Sequence, residues 1–105
     1  RLVLAPSIIG KALLRGRDPL GRIGGEEFVV VCADTTLEQA LVVAERLREA
    51  TAALLFDDVD PGLRVTVSIG VAQSQRSDDT HEDVLARADA ALYRAKQRGR
   101  NRVEH

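Results

Sequence analysis

The residues best suited to chemistry sit where glycine meets carboxylate: Gly24 and Gly25 are followed at once by Glu26 and Glu27. Residues without side chains let backbone amides approach a phosphate, and adjacent carboxylates can hold Mg2+ or take a proton. A plainer reading stands beside this one. Glycine serves hairpin turns for conformational reasons, and paired Glu residues on an exposed strand aid solubility. Positive charge gathers on either side. Lys11, Arg15, Arg17 and Arg22 stand against Asp18 over residues 11–22, and Arg87, Arg94, Lys96, Arg98, Arg100 and Arg102 against Asp89 over residues 87–102. Both stretches suit a small anionic ligand, with a solvated helix face as the alternative.

Other reactive side chains lead nowhere. His81 and His105 have no partners at metal-ligand spacing, which argues against zinc. Ser68 lies in an alternating strand pattern with no nucleophile elbow, and so reads as packing or sheet hydrogen bonding. Tyr93 reads as core or helix-surface packing. The lone cysteine, Cys32, reads as a small buried apolar residue and excludes an internal disulfide.

Composition narrows the class. The 105 residues are 45% hydrophobic and 30% charged, which fits one domain with one core. A net charge of −1 and 3% aromatic residues disfavour a nucleic-acid polymer as partner, because neither a basic coat nor a stacking platform is available. No apolar run approaches a membrane span of ~18 residues, so no membrane contact is expected, and the single cysteine leads us to expect a reducing, cytoplasmic setting. There is no Met, and the chain is read as a piece of something longer.

The elements that must position these groups follow from periodicity. Val29, Val30 and Val31 form a β-branched run that reads as a strand buried on both faces, and residues 22–32 as a hairpin whose tip carries the two glycines. Thr35 and Glu38 have capping-box spacing, and Leu37, Ala40, Leu41, Ala44, Leu47 and Ala50 recur at helical intervals. Val65, Val67, Ile69 and Val71 alternate with Thr66, Ser68 and Gly70 and predict a strand. Thr80 and Asp83 predict the start of a second helix that stops near Gly99. Helix and strand alternate, so an α/β architecture with helices covering a sheet is expected.

With these elements in place, Arg22-Ile23-Gly24-Gly25-Glu26-Glu27-Phe28 resembles the signature of GGDEF-domain diguanylate cyclases, in the variant with Glu at the third position. Val65-Thr66-Val67-Ser68-Ile69-Gly70-Val71-Ala72 resembles the family's central strand. Ala88-Asp89-Ala90-Ala91-Leu92-Tyr93-Arg94-Ala95-Lys96-Gln97-Arg98-Gly99-Arg100-Asn101 resembles its C-terminal helix and stop. The resemblance implies a mostly antiparallel central sheet covered by helices, as in nucleotide cyclases. It also implies an enzyme that condenses two GTP into cyclic di-GMP and releases pyrophosphate.

Residue by residue, the resemblance implies that Gly24 and Gly25 accommodate GTP phosphates and that Glu26 binds Mg2+. It makes Glu26 and Glu27 the catalytic carboxylates, with Glu27 assigned to activating the attacking 3′-hydroxyl. Lys96 and Arg100 match positions that grip terminal phosphates. Arg15 and Asp18, with five residues between Asp18 and Gly24, match the family's inhibitory RxxD site, where a guanidinium and a carboxylate suit guanine and phosphate. Arg46 matches the position from which a second domain completes that product site. One site holds one GTP, so a homodimer is implied, driven by an upstream sensory or regulatory domain.

The chain departs from the family at its start. The first family strand, with its metal Asp, and the helical residues that recognise guanine are missing. Residues 1–105 are therefore expected to be the C-terminal two-thirds of a GGDEF domain, lacking the first strand, with residues 2–14 as a remaining helix. Pro6 is awkward in that helix. The isolated chain is expected to bind product better than it turns over GTP. Two alternatives stand: a catalytically inactive cyclic di-GMP receptor using Arg15 and Asp18, and a structural or dimerisation domain without nucleotide.

Overall fold

The structure, a computed structural model, describes residues 7–17, 23–33, 35–54, 64–74 and 80–105. It is the expected α/β arrangement: a four-stranded sheet with order β2-β1-β3-β4, under two helices. The strands are β1 (Ser7–Arg17), β2 (Ile23–Ala33), β3 (Arg64–Gln73) and β4 (Val103–Glu104). Helix α1 spans Leu37–Ala52 and α2 spans His81–Gln97.

β1 corrects the helix expected over residues 2–14 from residue 7 onward; residues 2–6 lie outside the described residues. Its Ile8-Ile9 pair is β-branched and Gly10 and Gly16 are poor helix formers. More decisively, β1 is the bridge between its neighbours. It pairs antiparallel with β2 from Ser7↔Ala33 to Arg17↔Ile23 and antiparallel with β3 from Ile8↔Gln73 to Arg17↔Arg64. A helix here would leave the inner edges of β2 and β3 without partners for their backbone groups.

The same register corrects the glycine-tipped hairpin. Gly24 and Gly25 lie inside β2, opposite Gly16 and Arg15, so they belong to a paired ladder. The connection over residues 18–22 lies outside the described residues.

Alternation divides the sheet into two faces. Under α1, Ile8, Ala12, Ala44, Val67, Ile69 and Val71 form one core, joined by Leu14, Cys32, Leu37, Ala40, Leu41 and Val103. Under α2, Ile9, Ala72, Val84 and Ala88 form the other. Leu92 is 1% exposed, and burial of a side chain of that size stabilises by roughly 1.5–3 kcal/mol.

β2 is an edge strand, and the helices lie over β1, β3 and β4 instead of over it. The burial expected for its valines is therefore corrected: Val29, Val30 and Val31 are 47%, 52% and 53% exposed.

Each helix starts on a threonine. Thr80 caps α2 in a capping box with Asp83, as its spacing predicts. For α1 the box is Thr36 with Gln39, one residue later than Thr35 with Glu38. After α2 the chain reverses through positive φ at Gly99 (112°), Arg100 (62°) and Asn101 (47°). The Arg100 N–H donates to the Ala95 carbonyl at 2.8 Å, and the Asn101 N–H to Ser68 Oγ at 3.0 Å. The buried Ser68 hydroxyl thus ties this turn to β3, and the chain continues as β4, parallel to β3. β4 has no signal in the sequence pattern.

Candidate functional site

The β1–β2 register sets which groups share a face. Gly25, Glu27 and Val29 on β2 face the same way as Lys11, Leu13 and Arg15 on β1, toward α2. A Cβ at Gly25 would meet Leu13 Cδ1 at 3.3 Å and Arg15 Cγ at 3.7 Å. Glu26, opposite Leu14, projects to the α1 face. The two signature carboxylates therefore leave β2 on opposite faces. Because β2 is an edge strand, a ligand lying along its open edge can meet both.

Lys96, in the last turn of α2, reaches across to this edge. Its Nζ donates to Glu27 Oε1 at 3.2 Å, although the residues are 69 apart in sequence. The other Glu27 oxygen, Oε2, lies 3.5 Å from Lys11 Nζ, and Lys11 donates to Asp89 Oδ1 on α2 at 2.7 Å. A chain of alternating charge, Asp89–Lys11–Glu27–Lys96, thus ties the uncovered strand to α2. Lys96 holds the Glu27 carboxyl below its ordinary range through the hydrogen bond, and the Lys11 charge adds to the effect. The hydrogen bond to Asp89 raises the Lys11 ammonium above its ordinary value.

The remaining expected residues fall as follows. Gly24 is in β2 opposite Gly16. Glu26 is exposed and makes no ion pair or side-chain hydrogen bond among the described residues. Arg100 is half-buried in the left-handed turn just past α2. Arg15 is half-buried, flanked by Gly25 and Thr66. Asp18 lies outside the described residues. Arg46 is exposed on α1, whereas Arg15 projects to the other face, so the two do not meet within one chain. Arg15 and Glu26 lie at the same end of neighbouring strands but on opposite faces, so a ligand flat on either face touches only one of them.

Lys11 and Asp89 are the functional candidates that the sequence left without a role. Both stood in the charged stretches, but only the strand register brings Lys11 beside Glu27. Tyr93 is 62% exposed on the surface of α2, and Cys32 is half-buried against the α1-side core. No group of three or more His, Cys, Asp or Glu residues able to hold a metal occurs among the described residues. No helix among them is long and apolar enough to cross a membrane.

The family model described as "Diguanylate cyclase, GGDEF domain" matches residues 6–102. Diguanylate cyclase A of Treponema denticola is 39% identical over 95 residues, which cover 89% of this chain and 25% of that protein. The chain thus spans only a quarter of that curated relative. Among solved structures, the active GGEEF domain of a diguanylate cyclase from Vibrio cholerae superposes with a TM-score of 0.70 at 25% identity. That match covers 95% of this chain and 82% of that one. The GGDEF domain of DgcB from Caulobacter crescentus, solved in complex with c-di-GMP, gives a TM-score of 0.69 at 25% identity, covering 93% and 77%.

Proposed function

This chain belongs to the GGDEF-domain family of diguanylate cyclases, and from that premise we propose that it carries the phosphate-binding side of an active site that makes cyclic di-GMP from GTP. The reading treats residues 1–105 as the C-terminal two-thirds of one such domain. The observation that carries it is the 3.2 Å contact between Lys96 and Glu27, which brings the signature segment and the C-terminal helix to one sheet edge.

In the proposed reaction the 3′-hydroxyl oxygen of one GTP attacks the α-phosphorus of another. A new P–O bond forms, the α–β bridging P–O bond breaks and pyrophosphate departs; repeating the step closes the ring. Gly24 and Gly25 leave room for the phosphates along the open edge of β2. Lys96 and Arg100 hold the terminal phosphates, one as a point charge and the other as a fork.

Glu27, with its carboxyl held low by Lys96, is a poor proton acceptor while that pair lasts. It takes the 3′-hydroxyl proton once Lys96 turns toward a phosphate. Glu26 fits Mg2+, because Mg2+ is commonly held by one or two carboxylates plus phosphate oxygens and this carboxylate is exposed with no competing cation among the described residues. When bound, the ion neutralises charge developing on the transferring phosphoryl group. Each domain holds one GTP, so two copies act together, under the control of an upstream domain.

Arg15 and Asp18 form the product-inhibitory site, with Arg46 of a second copy completing it. Arg15 shares the α2 face with Gly25 and Glu27, while Glu26 leaves β2 on the other face. The test is isothermal titration of cyclic di-GMP against the chain and its Arg15→Ala variant. Loss of a bidentate guanidinium contact weakens binding by about tenfold or more. Equal affinities would remove Arg15 from the product site, and binding of cyclic di-GMP without any binding of GTP would favour a receptor over a cyclase.

A further inference from the structure

We propose that Lys11 is a positioning residue of this site. By holding one oxygen of Glu27, it keeps the Lys96 ammonium from being committed to that carboxylate and leaves it open to a nucleotide phosphate. The inference rests on the reading of Lys96 as a phosphate ligand.

The backbone register creates the relationship. Lys11 lies opposite Val29 and Glu27 opposite Leu13, so Lys11 and Glu27 are diagonal neighbours on one face, within reach of long side chains. Each Glu27 oxygen faces a different ammonium: Oε1 faces Lys96 at 3.2 Å and Oε2 faces Lys11 at 3.5 Å.

Lys11 is itself held. Its side chain is 21% exposed on the central strand, and Asp89 accepts from it at 2.7 Å. Asp89 and Lys96 stand seven residues apart on α2, on the same stripe, one on either side of the Lys11–Glu27 diagonal. Removing the Lys11 charge leaves Glu27 with Lys96 as its cation, and the ion pair that a triphosphate must break becomes tighter. Lys11 therefore acts through Glu27.

A double-mutant cycle reads this directly. GTP with Mg2+ is titrated calorimetrically into the chain and into its Lys11→Gln, Lys11→Arg, Glu27→Gln, Lys11→Gln/Glu27→Gln and Lys96→Gln variants. Lys11→Gln is expected to weaken GTP binding by about threefold, the scale of a partly exposed ion pair, and Lys11→Arg to restore it. In the Glu27→Gln background the same substitution is expected to change nothing, an outcome that neither a general loss of positive charge nor a loss of fold would produce.

An equal loss in both backgrounds would mean that Lys11 acts on the nucleotide itself and would overturn the proposal. Weakened binding in Lys96→Gln with none in Lys11→Gln would overturn the Lys11 role alone. Unchanged GTP affinity in Lys96→Gln would overturn the underlying reading of the site and the Lys11 role with it.

Discussion

Gly70 of β3 and Leu92 of α2 meet so closely that a Cβ at position 70 would lie 2.2 Å from the Leu92 amide nitrogen, and equally close to the Ala88 carbonyl oxygen. Both obstacles are backbone, which no rotamer change can move aside. This contact sets how near α2 lies to the sheet, and so how far Lys96 reaches beyond its helix to meet Glu27.

Gly70→Ala is expected to destabilise the chain by about 3 kcal/mol or more, at the upper end of overpacking costs, because the whole helix must lift. Denaturant unfolding checks the loss. GTP affinity should fall as well, since α2 carries Lys96. A fully stable Gly70→Ala variant would contradict the packing described.

The covered strand β3 and the edge strand β2 give contrasting expectations. Val67 is 1% exposed beneath α1 while Val31 is 53% exposed on the edge strand. Val67→Ala should cost about 2 kcal/mol, combining lost transfer energy and a cavity, whereas Val31→Thr should stay within about 0.5 kcal/mol. Thermal unfolding of both variants makes the comparison, and equal losses would mean that β2 is covered.

The helix caps are independently testable. Thr36 and Thr80 each accept from the amide three residues on, at 3.1 Å in both cases. Replacing either by Ala should cost about 1 kcal/mol, and Thr35→Ala, one residue outside the α1 box, far less. Chemical denaturation of the three variants distinguishes Thr36 from Thr35 as the cap.

The charge chain predicts a pH signature. The Glu27 carboxyl is lowered from 4.5 by the Lys96 hydrogen bond and then by the Lys11 charge. A depressed carboxyl contributes stability that is present above its unfolded value and lost as pH falls through the folded one. For Lys11, raised from 10.5 chiefly by Asp89, the contribution is complete below the unfolded value and lost as pH rises through the folded one. Unfolding followed from pH 3 to 6, a window of about the ordinary carboxylate range, should therefore be less acid-sensitive in Glu27→Gln than in the parent chain. The difference should shrink with added salt.

Much of this was legible beforehand. The Thr80 box, the Gly99 stop and the Val65-to-Val71 alternation each carry a local signal, and each element formed where that signal lies. Residues 7–17 did not announce a strand, because Ile8, Ile9, Ala12, Leu13 and Leu14 suit either period, and only pairing on both edges decides between them. The exposure of Val29, Val30 and Val31 has the same origin. A continuous apolar run predicts burial on both faces only if helices lie over that strand, and here they lie over its neighbours. For the site, the glycines, Glu27 and Lys96 stood out as types, but the link through Lys11 and Asp89 depends on register across three elements. Asp18 lies outside the described residues.

The most direct test of the account is mass-spectrometric detection of cyclic di-GMP after incubating protein that carries this chain with GTP and Mg2+, in parallel with its Glu26→Gln variant. Cyclic di-GMP and pyrophosphate are expected from the parent, and a rate lower by about a hundredfold or more from the variant, the scale of losing one electrostatic contact in the transition state. Equal rates from both would contradict the role given to Glu26, and no product from either would contradict the cyclase reading.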